Sequence, residues 1–300
     1  MKSLLKVLHI FRKLCLRTFY ILDIRMLPYK LNLILYFKKA IDMKFILTIF
    51  FLLTLTINTK ASQNCAVILM HGKWGLPSSP YLKILSEKIE KLCVVEKPEM
   101  PWSRNRNYDQ TYESLLNELQ KKSENYRKNG IKKIIFAGHS FGANASMAYQ
   151  AYIGDANALI ALAPGHSPND MYYKIQGHSW IINQAKKNFD EGKPETLMKF
   201  TDYNSGLKKD FDHIRADVLF SYFNPDGLGH MAKTAKEFKK AIPFLYIEGE
   251  KDLIKVGKNY SFEKTPFHPM SKYQTVVADH AMTPEVASDL VIEWLKEIIK

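Results

Sequence analysis

The chain has 300 residues, of which 46% are hydrophobic and 24% are charged, enough for one sizeable globular domain plus a non-globular end. Its formal net charge of +13 at pH 7 suggests nucleic-acid binding at first sight. However, residues 1–61 hold 11 Lys/Arg and 2 Asp/Glu, which leaves 32 basic and 28 acidic residues for 62–300. The excess basic charge therefore belongs to a leader, and its distribution excludes a nucleic-acid-binding face.

The segment 43–61 predicts an export signal. It has a short basic start, an uncharged core of 13 residues and the small residue Ala61, the pattern of a secretory signal peptide. The core is short for a membrane span, which needs about 20 apolar residues. We expect cleavage after Ala61 and an exported protein, either periplasmic or secreted. The alternative is an uncleaved leader that anchors the protein to the membrane, which would be its sole membrane contact.

Residues 1–42 mix basic and apolar residues without a clean period. Signal peptides rarely carry such an extension, so the favoured interpretation is that translation starts at Met43. The alternative is a basic amphipathic segment that lies on a membrane surface.

From Cys65 onward, apolar runs of strand length alternate with amphipathic stretches of helix length. The predicted strands are 65–70, 93–95, 131–137, 158–163, 241–247 and 273–277. The predicted helices are 81–92, 109–128, a helix after 142, and a last helix that Thr283 caps. This alternation predicts an α/β domain over 62–300, with a mostly parallel sheet of about six strands covered by helices on both faces.

Residues 166–240 interrupt the alternation. They are rich in Lys, Asp, Asn, Tyr and His and contain short helical pieces and turns. We interpret them as a helical cap inserted between two strands of the core, and we call them the cap.

Two cysteines, Cys65 and Cys93, stand at the starts of two consecutive predicted strands. In an exported protein they could form a disulfide, and two buried free thiols are the equal alternative. No group of Cys and His has the spacing of a metal site, so neither a metal nor another cofactor is predicted.

The stretch 131–142 predicts a nucleophilic serine. A short apolar strand runs directly into Gly138-His139-Ser140-Phe141-Gly142, and small residues typical of a closely packed helix follow. Strand, tight turn and helix around Gly-x-Ser-x-Gly are the context of a nucleophile elbow, which exposes the serine hydroxyl. Ser140 is therefore the candidate nucleophile.

A serine needs a base to take its proton and an acid to orient that base. His280 follows the last predicted strand and is the candidate base, while His71 and His139 fit structural roles better. Asp252 follows the preceding strand and is the candidate acid, with Glu248 and Glu250 as alternatives.

Two backbone N–H groups are expected to bind the oxyanion of the intermediate. One is that of Phe141, directly after the nucleophile, and the other comes from the loop 72–75, from Lys73 or from Trp74. The side chain of Lys73 is expected to lie in solvent. Trp74 and Trp102 fall in loops at the carboxyl ends of strands, so both could line an apolar substrate pocket, and packing against the core is the alternative.

Together, the loop 71–75, the motif 138–142, the segment 249–252 and Asp279-His280 resemble the α/β-hydrolase superfamily over roughly 65–300. The resemblance implies a serine hydrolase of the lipase or esterase type, with Ser140, Asp252 and His280 as its triad and a small-molecule ester as substrate. A peptidase, thioesterase or acyltransferase with the same triad remains an alternative. So does a non-catalytic binding protein of the same fold. A metal hydrolase is disfavoured, because no ligand spacing supports it.

Overall fold

The structure is a computed structural model that describes residues 64–300. The predicted signal peptide at 43–61 and both interpretations of 1–42 lie outside the described residues. Eight strands are present in this part of the chain: β1 Cys65–Met70, β2 Val94–Glu96, β3 Lys133–His139, β4 Ala158–Leu162, β5 Leu197–Asn204, β6 Leu207–Arg215, β7 Phe244–Gly249 and β8 Lys272–Val276. Six of them form one sheet in the order β2-β1-β3-β4-β7-β8, and all neighbours in it are parallel.

The central strands are apolar because both faces of the sheet are covered. All six residues of β1 are buried. Alternate side chains of a strand point to opposite faces, so Ile68 and Met70 pack in one hydrophobic layer while Val67 and Leu69 pack in the other. The predicted α/β class and the sheet of six parallel strands are confirmed.

Nine α-helices accompany the strands within residues 64–300: α1 Lys83–Ile89, α2 Tyr112–Lys128, α3 Phe141–Tyr152, α4 Pro168–Lys174, α5 His178–Asp190, α6 Ala216–Phe223, α7 Met231–Thr234, α8 Thr283–Val286 and α9 Ser288–Ile298. Helices α1 and α9 contribute to the layer on one face, and α2 and α3 contribute to the other. The prediction that Thr283 caps the last helix is wrong. Thr283 lies inside α8, where its hydroxyl donates to the carbonyl oxygen of Asp279 at 2.7 Å.

The cap lies between β4 and β7 and contains α4 to α7. It also contains an antiparallel hairpin, β5–β6, which the helical interpretation of this segment did not include. The hairpin turns at Ser205 and Gly206, whose φ values are 48° and 84°. Two consecutive residues with positive φ are typical of the tight turns that match the twist of a hairpin.

A disulfide joins Cys65, the first residue of β1, to Cys93, the residue before β2. The two strands are parallel neighbours with Ala66 opposite Val94, and this pairing brings the two preceding residues together. Of the two alternatives left open by the sequence, the structure has the disulfide. In the part of the chain that the structure covers, no helix combines the length and the apolar character needed to cross a membrane.

Candidate active site

Ser140 lies between β3 and α3 in a strained backbone conformation, with φ of 56° and ψ of −116°. A residue other than glycine with such a φ is uncommon and is maintained only by its surroundings. The two glycines of the motif explain how the turn closes. A Cβ on Gly138 would collide with the backbone of Gly142, and a Cβ on Gly142 would collide with the carbonyl of Met70.

His280 and Asp252 are paired at the carboxyl end of the sheet. Nδ1 of His280 donates to Oδ2 of Asp252 at 2.7 Å, and Oδ1 of Asp252 accepts the N–H of Ile254 at 2.9 Å. A proton on Nδ1 leaves Nε2 with a free lone pair, as a general base requires. Burial would raise the pKa of Asp252, but its hydrogen bond with His280 and the charge of that partner hold the pKa below its usual value.

Ser140 and His280 meet around Gly165. A Cβ on Gly165 would lie 2.8 Å from Oγ of Ser140 and 3.6 Å from Cε1 of His280. Nε2 of His280 is buried and has no hydrogen-bond partner among residues 64–300. The structure thus brings the three candidate residues together without a hydrogen bond between the serine and the histidine. Such bonds often tighten only when substrate binds.

The alternative acids have other partners. Oε1 of Glu248 accepts the N–H groups of Val256 and Gly257, both at 3.0 Å, and Oε2 accepts the hydroxyl of Tyr273. Glu250 is exposed to solvent. Glu248 therefore shapes the loop that presents Asp252, which leaves Asp252 as the carboxylate next to His280.

The two other candidate histidines, His71 and His139, are buried and make backbone hydrogen bonds. Nε2 of His139 donates to the carbonyl oxygen of His280 at 2.8 Å. Nδ1 of His71 donates to the carbonyl of Gly72 at 2.9 Å. Burial lowers the pKa of His139 to about 3 and that of His71 to about 4, so both rings are neutral at pH 7.

Two backbone N–H groups near Ser140 are free to bind a ligand. In the loop 72–75, all amides except that of Lys73 donate hydrogen bonds, with Tyr81, Trp102 and the loop's own carbonyl as acceptors. Within residues 64–300, neither the N–H of Lys73 nor that of Phe141 donates a hydrogen bond. Because Phe141 begins α3, its N–H also lies at the positive end of a helix.

The side chain of Lys73 is buried, so the expectation that it lies in solvent is wrong. Its Nζ donates to Oδ1 of Asp202 at 2.7 Å and to the carbonyl of Tyr203 at 2.9 Å. Both partners belong to β5, which covers the loop 72–75. This contact was not predictable from the local sequence, because Lys73 and Asp202 are 129 residues apart along the chain.

A cavity of about 390 Å³ opens at Ser140. Its walls come from the core (Lys73, Ser140 and Gly165), from the end of α4 (Met171 and Ile175), from the hairpin (Tyr203 and Asn204) and from the loop after Asp252 (Leu253 and Ile254). Sequence reasoning missed most of these residues. The pair Leu253-Ile254 was the available signal, because two consecutive apolar residues directly after the candidate acid are unusual in a loop and indicate a binding surface.

The two tryptophans proposed for the pocket do not line this cavity. Trp102 is 0% exposed, stacks on Phe141 with ring centroids 4.1 Å apart, and donates Nε1–H to the carbonyl of His71 at 3.0 Å. Trp74 is half-buried, and its indole nitrogen is shielded from solvent. The pocket prediction is wrong for Trp102, because this side chain packs in the core and against Tyr222 of the cap. Trp74 likewise contributes nothing to the cavity at Ser140.

No protein-family model matches the sequence, and no curated protein matches it. Solved structures are similar to it in fold. A monoacylglycerol lipase from Paleococcus ferrophilus has a TM-score of 0.55 at 17% identity, covering 78% of this chain and 94% of its own. A carboxyl esterase from Bacillus coagulans has a TM-score of 0.55 at 15% identity, covering 78% and 90%. Est1E from Butyrivibrio proteoclasticus, with ferulic acid bound, has a TM-score of 0.54 at 18% identity, covering 80% and 92%.

At these identities the similarity establishes the fold, and the protein has the α/β-hydrolase fold. The resemblance inferred from the four motifs is confirmed at this level. In residues 64–300, no three or more His, Cys, Asp or Glu side chains are grouped so that they could hold a metal ion.

Proposed function

We propose that the protein is an exported serine hydrolase that cleaves carboxylic esters through an acyl-enzyme on Ser140. The observation that carries the proposal is that Ser140, in the wall of the cavity, lies across Gly165 from His280, which is hydrogen-bonded to Asp252. The choice of esters is supported by the structural neighbours, which include a monoacylglycerol lipase and a carboxyl esterase.

The proposed reaction has two half-reactions. Oγ of Ser140 attacks the ester carbonyl carbon while Nε2 of His280 takes its proton, and Asp252 stabilises the resulting imidazolium. The oxyanion of the tetrahedral intermediate receives hydrogen bonds from the N–H groups of Phe141 and Lys73. The C–O bond to the alcohol breaks, and the alcohol leaves with the proton from His280. In the second half-reaction, water attacks the acyl-enzyme while Nε2 of His280 takes its proton. The C–O bond to Ser140 then breaks, Oγ receives that proton, and the carboxylic acid is released.

A fluorophosphonate probe and a series of p-nitrophenyl esters of different chain length test the proposal. We expect labelling and hydrolysis by the natural protein, and loss of both in Ser140→Ala. Removal of the nucleophile lowers kcat by several orders of magnitude, on the order of 10⁶-fold in a well-studied serine protease. Ser78→Ala is the control, because Ser78 is an exposed serine in the neighbouring loop.

Unchanged labelling of Ser140→Ala would refute the assignment. A natural protein that neither reacts with the probe nor hydrolyses any ester would favour the non-catalytic binding protein. Labelling without ester hydrolysis would favour a peptidase, thioesterase or acyltransferase.

Export is the second part of the proposal. It is supported by the disulfide Cys65–Cys93, because disulfides persist in oxidising compartments and are rare in the cytosol. We expect the protein recovered from outside the cytoplasm to begin at Ser62 and, after unfolding, to show no free thiol until it is reduced. Recovery from the cytosol with both thiols free would contradict export. Recovery in the membrane fraction with residues 43–61 still attached would instead support the anchored alternative.

A further inference from the structure

Asp202, near the end of β5, is a carboxylate with 0% exposure and a full set of partners. Its Oδ1 accepts from Nζ of Lys73 at 2.7 Å and from the N–H of Tyr203 at 2.8 Å, and its Oδ2 accepts the hydroxyl of Tyr108 at 2.8 Å. A buried ion pair adds little net stability, because desolvation of the two charges offsets their attraction. Its presence beside the cavity therefore calls for another role.

The hairpin binds Lys73 both at its side-chain ammonium and at its backbone carbonyl. Nζ of Lys73 donates to Asp202 and to the carbonyl of Tyr203, and the side-chain amide of Asn204 donates to the carbonyl oxygen of Lys73 at 3.3 Å. Three consecutive residues of the cap thus fix the side chain and the backbone of one residue in the loop 72–75. Lys73 is also the residue of that loop whose N–H is left free beside Ser140.

The same contacts extend to the other available N–H group. The ammonium of Lys73 lies 5.8 Å from the ring centroid of Phe141 and 5.4 Å from that of Phe223 in the cap. Such distances are favourable for a cation over an aromatic ring. The buried charge therefore contacts the residue that carries the second N–H group and the cap that covers it.

Backbone strain is concentrated around this network. Trp74, directly after Lys73, has φ of 57°, while Asn107 and Tyr108 have φ of 51° and 62°. A residue other than glycine rarely adopts such a φ, and it persists where the surroundings enforce it. Tyr108 bonds to Asp202, and Asn107 accepts from Lys209 of the hairpin at 2.6 Å. The hairpin thus supplies contacts that hold two strained loops in place.

We propose that Asp202 is a positioning residue of the cap, which directs the N–H of Lys73 at the reacting carbonyl through its ion pair with the Lys73 side chain. The inference rests on the proposed ester hydrolysis and deepens it. The cap then completes the oxyanion site as well as covering the cavity. Asp202 acts through Lys73 and does not touch the substrate.

The test uses the full chain carrying Asp202→Asn, with Asp212→Asn as the matched control. Asp212 lies on the same hairpin, but its ion pair with Lys199 is exposed and 3.5 Å long. Removal of one oxyanion donor lowers kcat by about 10²–10³-fold, so a displaced donor should lower it by about tenfold to a hundredfold. We expect this loss in Asp202→Asn with KM changed by less than about twofold, because the oxyanion exists only after attack.

Three further measurements separate positioning from general destabilisation. A boronic acid forms a tetrahedral adduct with the serine, so its affinity should fall by the same factor as kcat. Lys73→Met keeps the backbone N–H but removes the ammonium, and it should lose as much as Asp202→Asn. The double variant should lose no more than either single one, because both act through one pair.

Should Asp202→Asn fail to fold, Asn204→Ala removes the bond to the Lys73 carbonyl, keeps the ion pair of Lys73 with Asp202, and should lower kcat in the same direction. Values of kcat within about twofold of the natural protein in Asn204→Ala and in every folded Asp202 or Lys73 variant would overturn the inference while leaving the ester hydrolase intact. A natural protein that neither reacts with fluorophosphonate nor hydrolyses esters would overturn both proposals. This measurement is made before any variant is prepared.

Discussion

At the scale of single residues, the site depends on Gly165, because a glycine has no Cβ to occupy the space between Ser140 and His280. The N–H of Gly165 donates to the carbonyl of Ser140 at 3.1 Å, and the position of its absent Cβ faces both Ser140 and His280. The φ of Gly165 is not in the left-handed region, so alanine fits the backbone. The glycine is therefore needed for space and not for conformational freedom.

We expect Gly165→Ala to fold and to lose activity. A Cβ 2.8 Å from Oγ of Ser140 would displace the hydroxyl, and a displacement of about 1 Å at a reacting atom can lower the rate about 100-fold. Ester hydrolysis and the thermal midpoint are measured together. The control is Gly130→Ala, whose Cβ would meet open space at a φ of +86°.

The control should lose about 1 kcal/mol of stability through that positive φ and keep its kcat. Activity retained in Gly165→Ala would contradict this prediction. It would show that proton transfer between Ser140 and His280 does not need the space beside Gly165.

The residues that the sequence could indicate are those whose roles are defined by local structure. Ser140 was readable because its turn, strand and helix are contiguous in the chain. Asp252 and His280 were readable because each follows a strand, and parallel strands place their carboxyl ends at one edge. Asp202 and Gly165 were not readable, because their contacts with Lys73 and Ser140 arise only when distant segments meet.

At the scale of secondary-structure elements, the core was predictable and the cap was not. A strand buried on both faces is an unbroken apolar run, and this pattern located β1, β3 and β4 to within two residues. The hairpin β5–β6 lies on the surface of the cap, and several of its residues are exposed. A bulge between Met198 and Phe200 interrupts the alternation of buried and exposed residues along β5. The sequence of the hairpin therefore shows no regular strand pattern.

The same hairpin changes how specificity is understood. Its tip contributes Tyr203 and Asn204 to the cavity, and the loop after Asp252 contributes Leu253 and Ile254. Leu253 is 99% exposed, so this apolar wall stands at the mouth of the cavity. Under the proposed function, these irregular segments would contribute to specificity, whereas Trp102 lies beneath the cavity and stacks on Phe141.

At the scale of the whole molecule, several neutral buried histidines make stability dependent on pH. Burial lowers the pKa values of His71 and His139, and also those of His166 and His178. In each of the four histidines, one ring nitrogen donates a hydrogen bond to a backbone carbonyl. These histidines are therefore structural parts of the site and the cap. Protonating them in place would put unpaired charges in an apolar interior.

The sign of the effect follows from proton binding. A histidine titrates near 6.5 in the unfolded chain but only at about 4 for His71 and about 3 for His139 in the folded protein. Between these values the unfolded state binds more protons, so stability falls as the pH falls. Each histidine contributes a slope of about 1.4 kcal/mol per pH unit, which begins below about pH 6.5 and ends at its folded pKa.

We therefore expect the free energy of unfolding in urea to be nearly constant above pH 7 and to drop steeply between pH 6.5 and 4. His139→Gln, which keeps a side-chain donor for the carbonyl of His280, should lose about 1.4 kcal/mol per pH unit of that slope. His213→Gln, at an exposed position of the hairpin, should keep the slope of the natural protein. A slope that is the same in His139→Gln as in the natural protein would mean that His139 binds its proton equally in the folded and unfolded states, which would contradict this prediction.

Below pH 4, protonation of Asp252 should steepen the loss again. Its folded pKa is lowered, so the stability that its pairing with His280 provides is present above the unfolded value and disappears as the pH falls through the folded one.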